Sequence, residues 1–336
     1  MNAQLKPTTV APRLGFLGVG WIGRQRMQVL AESGAATVAA IADASREAAL
    51  AAQEHAPDAT VVDDLDALLA MDLDGIVIAT PSGAHAAQAI AALERGMAVF
   101  CQKPLTRTAE EAERVLAAAR AADRLIGVDF SYRHVAGVAQ LRELVRSGGL
   151  GRVHAIDLTF HNAYGPDKDW FYDMARSGGG CVMDLGIHLL DLAQWIVGED
   201  QTDAMTALLS AQGRPLSAPV SEVEDYASVQ WRMRSGTAVR LACSWRLPAG
   251  CDAIIEAAFY GSGGGAALRN VNGSFYDFTV DRFEGTRRTR LAQPPDAWGG
   301  RALVQWATRL AQGGRFDPET AQLVQLARMV DGIYGR

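Results

Sequence analysis

Three polar residues of this 336-residue chain stand where a reaction would need them: Lys103, Asp184 and His188. Lys103 lies in Cys101-Gln102-Lys103-Pro104, directly after an apolar run of strand length. An ammonium group in that position can stabilise charge developing on a reacting oxygen. Asp184 and His188 stand four residues apart in the stretch G-G-G-C-V-M-D-L-G-I-H-L-L-D, residues 178–191. On a helix, that spacing puts both on one face about one turn apart. The imidazole can take a proton near neutral pH, and the carboxylate can orient it or hold a substrate hydroxyl. Asp191, three residues beyond His188, is a second candidate to orient the ring. The bland alternative is a capped helix with a packed histidine, since an early aspartate favours the helix dipole anyway. Three glycines leading into the helix weigh against it, because backbone freedom there suits a crowded site.

A nucleotide fingerprint comes earlier in the chain. The apolar run 13–17 is followed by Gly18, Gly20 and Gly23 at the G-x-G-x-x-G spacing, with Trp21 and Ile22 between the last two. Twenty residues after Gly23, Asp43 closes a second apolar run, 37–42, and Ala44 follows it. Strand, glycine turn, helix, strand and acidic residue together make the dinucleotide-binding context. Gly18 allows the tight turn, Gly20 lets backbone approach a pyrophosphate, and Gly23 lets the helix sit close to the strand. The helix N-terminus offers unpaired N–H groups to phosphate charge. Asp43 should accept from a ribose 2′-hydroxyl and repel a 2′-phosphate, which favours NAD(H). Ser45-Arg46 follows at once and could grip that phosphate, so NADP(H) stays open.

These residues need a scaffold, and the chain reads as α/β. After a tail over 1–12, residues 13–133 alternate short apolar strands with alanine-rich helices. Helices are expected over 46–55, 63–71, 84–95 and 108–122, and strands over 61–62, 75–79, 97–101 and 125–128. The fully apolar strand 75–79 suits a parallel sheet buried on both faces. Such alternation predicts a doubly wound parallel Rossmann sheet with ligands at its carboxyl edge. Thr80, Pro81, Ser82, His85, Gln102, Tyr132 and Arg133 all fall at that edge as candidate ligand contacts.

Past residue 133 the pattern changes. A helix over 135–146 precedes a long alternating strand, 153–162, and one clear helix, 181–197. Strands follow over 204–210, 226–233, 238–245, 254–260 and 266–280, the last with a turn near Asn272-Gly273. Strands without intervening helices predict an α+β domain, 134–336, with a large, mostly antiparallel open sheet. Two helices, 301–312 and 318–333, end the chain and could pack back on the first domain. His161, Trp170 and Phe171 are candidates to line a substrate pocket, although aromatic residues more often serve as core.

Composition narrows the field. A net charge of −6 gives no general attraction to nucleic acid or anionic membrane. The one dense basic run, Arg287, Arg288 and Arg290, reads best as a solvated strand face. Four widely spaced cysteines suit reduced thiols in a cytoplasm, and zinc-ligand spacing is lacking. No secretion signal is evident and no run approaches the ~20 apolar residues of a membrane span.

Taken together, the motifs resemble the Gfo/Idh/MocA oxidoreductase family, along nearly the whole chain from Arg13. The ordered set is G-V-G-W-I-G (18–23), A-T-P-S-G-A-H (79–85), Q-K-P (102–104), Y-R (132–133), the stretch 178–191 and E-D-Y-A-S-V (224–229). The resemblance implies a Rossmann domain and a C-terminal α/β domain whose open sheet mediates homodimers or homotetramers. It implies that Lys103, Asp184 and His188 are the catalytic lysine, aspartate and histidine. It implies hydride exchange between a nicotinamide and a secondary alcohol or ketone of a sugar, cyclitol or sugar derivative. One position departs from the pattern: Gln102 replaces the acidic residue of the usual E-K-P. Glutamine still hydrogen-bonds a ribose hydroxyl but carries no charge. The competing reading is a non-catalytic, dinucleotide-binding sensor on the same fold.

Overall fold

The computed structural model describes residues 11–198 and 202–336; the first ten residues of the expected tail lie outside the described residues. In the first half, β1 (Arg13–Leu17), β2 (Thr37–Ala42), β3 (Thr60–Val62), β4 (Gly75–Ile78), β5 (Ala98–Cys101) and β6 (Ile126–Val128) are separated by helices. These helices are α1 (Trp21–Ser33), α2 (Arg46–Gln53), α3 (Leu65–Leu69), α4 (Ser82–Glu94) and α5 (Ala109–Ala122). The strands pair in parallel in the order β3-β2-β1-β4-β5-β6. The order reverses between β1 and β4, which opens a crevice beyond their carboxyl ends. Residues of β4 and β5 are buried throughout, as both faces of the sheet carry helices.

The second half begins with α6 (Val138–Arg146), β7 (Val153–Asn162), a one-turn helix α7 (Met174–Ser177) and α8 (Ile187–Val197). The strands β8 (Thr202–Ala211), β9 (Arg214–Leu216), β10 (Tyr226–Met233), β11 (Ala238–Ser244), β12 (Ala253–Gly261), β13 (Gly264–Asn270), β14 (Phe278–Glu284) and β15 (Arg287–Ala292) follow. With β7 they form a nine-stranded sheet in the order β15-β14-β13-β12-β7-β11-β10-β8-β9. All its pairings are antiparallel except β7 with β11. Ile156, Leu158 and Phe160 on β7 turn inward toward α8, and the intervening residues face the open side.

Two helices begin differently from the pattern read in the sequence, while the arginine run forms the exposed strand expected of it. The helix expected over 135–146 starts only at Val138, because a 3₁₀ turn, Ser131–His134, and Gly137 at φ +82° precede it. The helix expected over 181–197 opens with a π-helical turn, Val182–Gly186, before α8. The run Arg287–Ala292 is an edge strand whose Arg288 and Arg290 pair with the buried Asp281 of β14 at 2.7 and 2.6 Å. Charge on an edge strand also discourages pairing with other sheets.

The segment Met174–Val197 has the length and apolar character of a membrane span, yet 72% of its most apolar window is buried inside the protein. Its α7, π turn and α8 pack against the second half's own residues. All four cysteines are free thiols.

The chain ends on its beginning. Helix α9 (Arg301–Ala311) lies on the first sheet, with Trp306 5.7 Å from the Phe100 ring. Helix α10 (Ala321–Tyr334) bridges the domains: Asp331 accepts from the Ala109 N–H at 2.8 Å, and Tyr334 donates to Glu224 at 2.9 Å. Trp306 is 4% exposed, so Trp306→Ala should cost about 3–5 kcal/mol in urea unfolding. A loss under about 1 kcal/mol would show that α9 is not part of the first domain's core.

Candidate active site

The glycine turn has the shape a phosphate requires. Gly18 sits at φ +87°, and a Cβ there would lie 2.7 Å from the Ala79 carbonyl. A Cβ on Gly23 would lie 2.2 Å from Gly18 O, so only glycine lets α1 close on the turn. Gly20 faces open space, with nothing within 4 Å of its Cβ direction. The Asp43 carboxylate is held by the N–H groups of Val19 at 2.7 Å and Ser45 at 2.8 Å. These observations fit a dinucleotide: an open backbone approach, a helix N-terminus and an anchored acceptor at the second strand's end.

From this turn a cleft of about 1140 Å³ runs between the two domains. Gly18, Gly20, Trp21, Ile22, Asp43, Ala44, Thr80, Pro81, Ser82, Gln102 and Lys103 line its first-domain wall. Tyr132, Trp170, Phe171, Asp184 and His188 line the far end. Lys103 Nζ crosses the cleft to Asp184, donating to Oδ1 and to the backbone carbonyl, each at 2.7 Å. Trp245 Nε1 donates to the other carboxylate oxygen at 3.0 Å. One carboxylate thus organises a lysine from β5 and an indole that follows β11.

The glycine run explains how Asp184 and His188 are presented. Gly178 has φ +82°, a Cβ on Gly179 would lie 2.0 Å from the Tyr334 hydroxyl, and one on Gly180 would lie 1.8 Å from Glu224 O. Glu224, fully buried, accepts from the N–H groups of Gly180 at 2.9 Å and Val182 at 2.8 Å. It therefore anchors the entry to the π turn, which is a role for the E-D-Y stretch that sequence spacing did not reveal. Such π turns recur at functional sites.

His188 is half-buried with its Nδ1 enclosed, and its ring lies 5.0 Å from Tyr132 in an edge-to-face arrangement. Burial, with Lys103 and Arg26 nearby, pushes its pKa well below the usual value. Its Nδ1 has no hydrogen-bond partner among the described residues. Tyr132 is itself pushed far up by burial, so it stays a neutral phenol.

Several expected contacts fall elsewhere. Asp184 shares the cleft with His188, but its oxygens are taken by Lys103 and Trp245, so it does not orient the imidazole. Asp191 does not either: Arg133 donates to it through Nε at 2.7 Å and also through Nη2. That pair braces α8 against the 3₁₀ turn and keeps Arg133 out of the cleft lining. His85 is buried beneath the cleft, its ring nitrogens 2.7 Å from the carbonyl oxygens of Pro104 and Thr80. Arg46 is exposed and pairs with Asp63 at 3.3 Å. His161 follows Phe160, which takes the core side of β7, so its ring turns to the open sheet face and stacks on Tyr226. Gly23 acts from below the turn.

Residues missed in the sequence also line the cleft: Arg26, Asp129, Tyr276 and Trp298. Asp129 was findable, since it follows β6 as Lys103 follows β5. Arg26 was not, because a helical arginine ordinarily points to water.

Comparison with known proteins agrees with this geometry. Residues 13–130 match the profile of an oxidoreductase family with an NAD-binding Rossmann fold, and residues 138–267 match the GFO/IDH/MocA C-terminal domain. The chain belongs to the GFO/IDH/MocA oxidoreductase family. It is 31% identical to the rhizopine catabolism protein MocA of Rhizobium meliloti over 58% of this chain and 60% of that one. It is 28% identical to an inositol 2-dehydrogenase of Rhizobium meliloti (strain 1021) over 77% of this chain and 76% of that protein. A levoglucosan dehydrogenase solved with NADH and levoglucosan shares the fold, with TM-score 0.81 and 23% identity over 96% of each chain. Gly18, Asp43, Lys103, Asp184 and His188 lie in this family's two matched domains.

Glu224→Gln should lower stability by about 1–3 kcal/mol, because an amide N–H₂ would face one of three donors. Urea unfolding reads this, and an unchanged midpoint would remove Glu224 as the anchor. The lowered pKa of His188 keeps the ring neutral below pH 6.5, while an unfolded chain takes up a proton there. Its contribution to stability is therefore present above about 6.5 and lost as pH falls toward the folded value. Relative to His188→Asn, the wild type should lose stability between about pH 6.5 and 5; parallel curves would contradict the burial.

Proposed function

We propose that this protein is an NAD(P)-dependent dehydrogenase or reductase acting on a secondary alcohol or ketone of a sugar, cyclitol or sugar derivative. The observation that carries this reading is the meeting of Lys103, Asp184 and His188 at one end of a cleft whose other end is the glycine turn. A bound nicotinamide ring would supply the redox chemistry by exchanging a hydride with the substrate carbon. The remaining work falls to side chains. Neutral His188 takes the hydroxyl proton, and the Lys103 ammonium stabilises the negative charge that develops on that oxygen. Asp184 holds Lys103 in place, and its carboxylate can accept from a second substrate hydroxyl. Tyr132 keeps its proton and packs against the imidazole instead of acting as the base. Trp170 and Phe171, stacked with ring centres 3.8 Å apart, offer an apolar wall to the C–H face of a ring.

Asp43 at the end of β2, with Arg46 turned toward Asp63, supports NAD(H) as the preferred cofactor and leaves NADP(H) usable. The substrate class is in keeping with the names of the relatives, inositol and levoglucosan dehydrogenases among them. A cytoplasmic protein with residues 13–133 and 134–336 as its two domains, forming a homodimer or homotetramer through the nine-stranded sheet, completes the reading.

A screen of sugars, inositols and their keto derivatives with NAD(P)(H), followed by nicotinamide absorbance, identifies the substrate. On that substrate His188→Ala and Lys103→Met should each lower kcat/KM by about 10²–10⁴-fold. Normal turnover in either variant would refute these roles, and NADH binding without turnover of any compound would favour the sensor reading. Calorimetric titration should give tighter binding of NADH than NADPH; the reverse order refutes the cofactor preference.

A further inference from the structure

Beneath the cleft floor lies a buried cluster that the chemistry above leaves unused. Gln102, Asp129 and Arg26 are 7%, 1% and 6% exposed, and all three line the cleft. Asp129 Oδ2 accepts from Arg26 Nε at 2.6 Å and from Gln102 Nε2 at 2.5 Å. The backbone locks the aspartate in register, since its N–H donates to Cys101 O at 2.9 Å. Its Oδ1 is buried without a partner among the described residues.

A carboxylate only accepts hydrogen bonds, whereas a glutamine amide has a donating and an accepting end. Asp129 therefore selects one of the two orientations of the Gln102 amide. The N–H₂ group must face Asp129, and the carbonyl oxygen points the other way. We propose that Asp129, neutralised by Arg26, is a positioning residue that makes Gln102 a pure acceptor toward a ribose hydroxyl of the bound nucleotide. The neutral Gln102 then presents what a glutamate in an E-K-P sequence would present. The same geometry disfavours an ionised glutamate at this position: with Asp129 at 2.5 Å, two carboxylates would share one buried site. With Arg26, the native cluster sums to zero charge, and Gln102→Glu would give it one net negative charge. This proposal rests on the nicotinamide-nucleotide reading.

The test is titration of NADH, and separately NADPH, into purified wild type, Gln102→Glu, Asp129→Asn, Gln102→Ala and two double variants. Gln102→Glu and Asp129→Asn should each weaken NADH binding about tenfold. The exchanged pair Gln102→Glu/Asp129→Asn restores one donor, one acceptor and zero charge, and should return to within about threefold of wild type. In a Gln102→Ala background, Asp129→Asn should have no further effect on the Kd. A merely structural role would weaken binding in both backgrounds and would not be rescued by the exchange. Gln102→Glu binding as tightly as wild type, or an exchanged pair as weak as the two single losses combined, overturns the proposal. A wild type that binds neither nucleotide instead overturns the reading beneath it.

Discussion

One ion pair, Lys103 with Asp184, joins the two halves of this molecule at the place where they must cooperate. The lysine comes from the carboxyl end of a parallel strand, and the carboxylate comes from a π turn in the other domain. Taking both charges out of water is costly, and attraction alone often fails to offset it. Here the lysine also reaches a backbone carbonyl, and the carboxylate also accepts from an indole. Everything around the pair can be understood as holding those four groups still: Glu224 below the glycine run, Arg133 and Asp191 behind the helix, and His85 between the two loops.

The same enclosure fixes the protonation state of the two rings beside the pair. Tyr132 and His188 touch, and desolvation moves their pKa values in opposite directions, up for the phenol and down for the imidazole. It penalises a phenolate and an imidazolium alike, leaving one ring that keeps its proton and another that stays neutral with an unprotonated nitrogen. Assigning the base is thus a matter of environment, decided by which neutral form has a lone pair to offer.

Much of the fold was legible because strands and helices announce themselves through periodicity. The glycine spacing with Asp43, the strand ends at Thr80 and Lys103, and the consecutive strands after Tyr226 all declared themselves this way. What stayed hidden was direction. Spacing put Asp184 and His188 on one face but could not tell that Lys103 would win the carboxylate. His161 alternates with Phe160, and only packing decides which of the two faces the core. Arg133 and Asp191 lie 58 residues apart, so neither advertises its partner. The Arg26–Asp129 pair spans 103 residues and was invisible for the same reason. Sequence reads out what each residue offers locally; long-range pairing depends on the assembled molecule.

The end of the chain carries a consequence of its own. None of the fourteen residues of α10 lines the cleft. Yet one of them is fastened to the start of α5 and another to Glu224, so the helix works as a strut across the back of the crevice. Glu224 in turn holds the backbone of Gly180 and Val182, just ahead of Asp184, so the strut meets the ion pair through that anchor. The seating of the carboxylate is thereby tied to the rear of the molecule, through residues that a survey of the cleft lining alone would pass over.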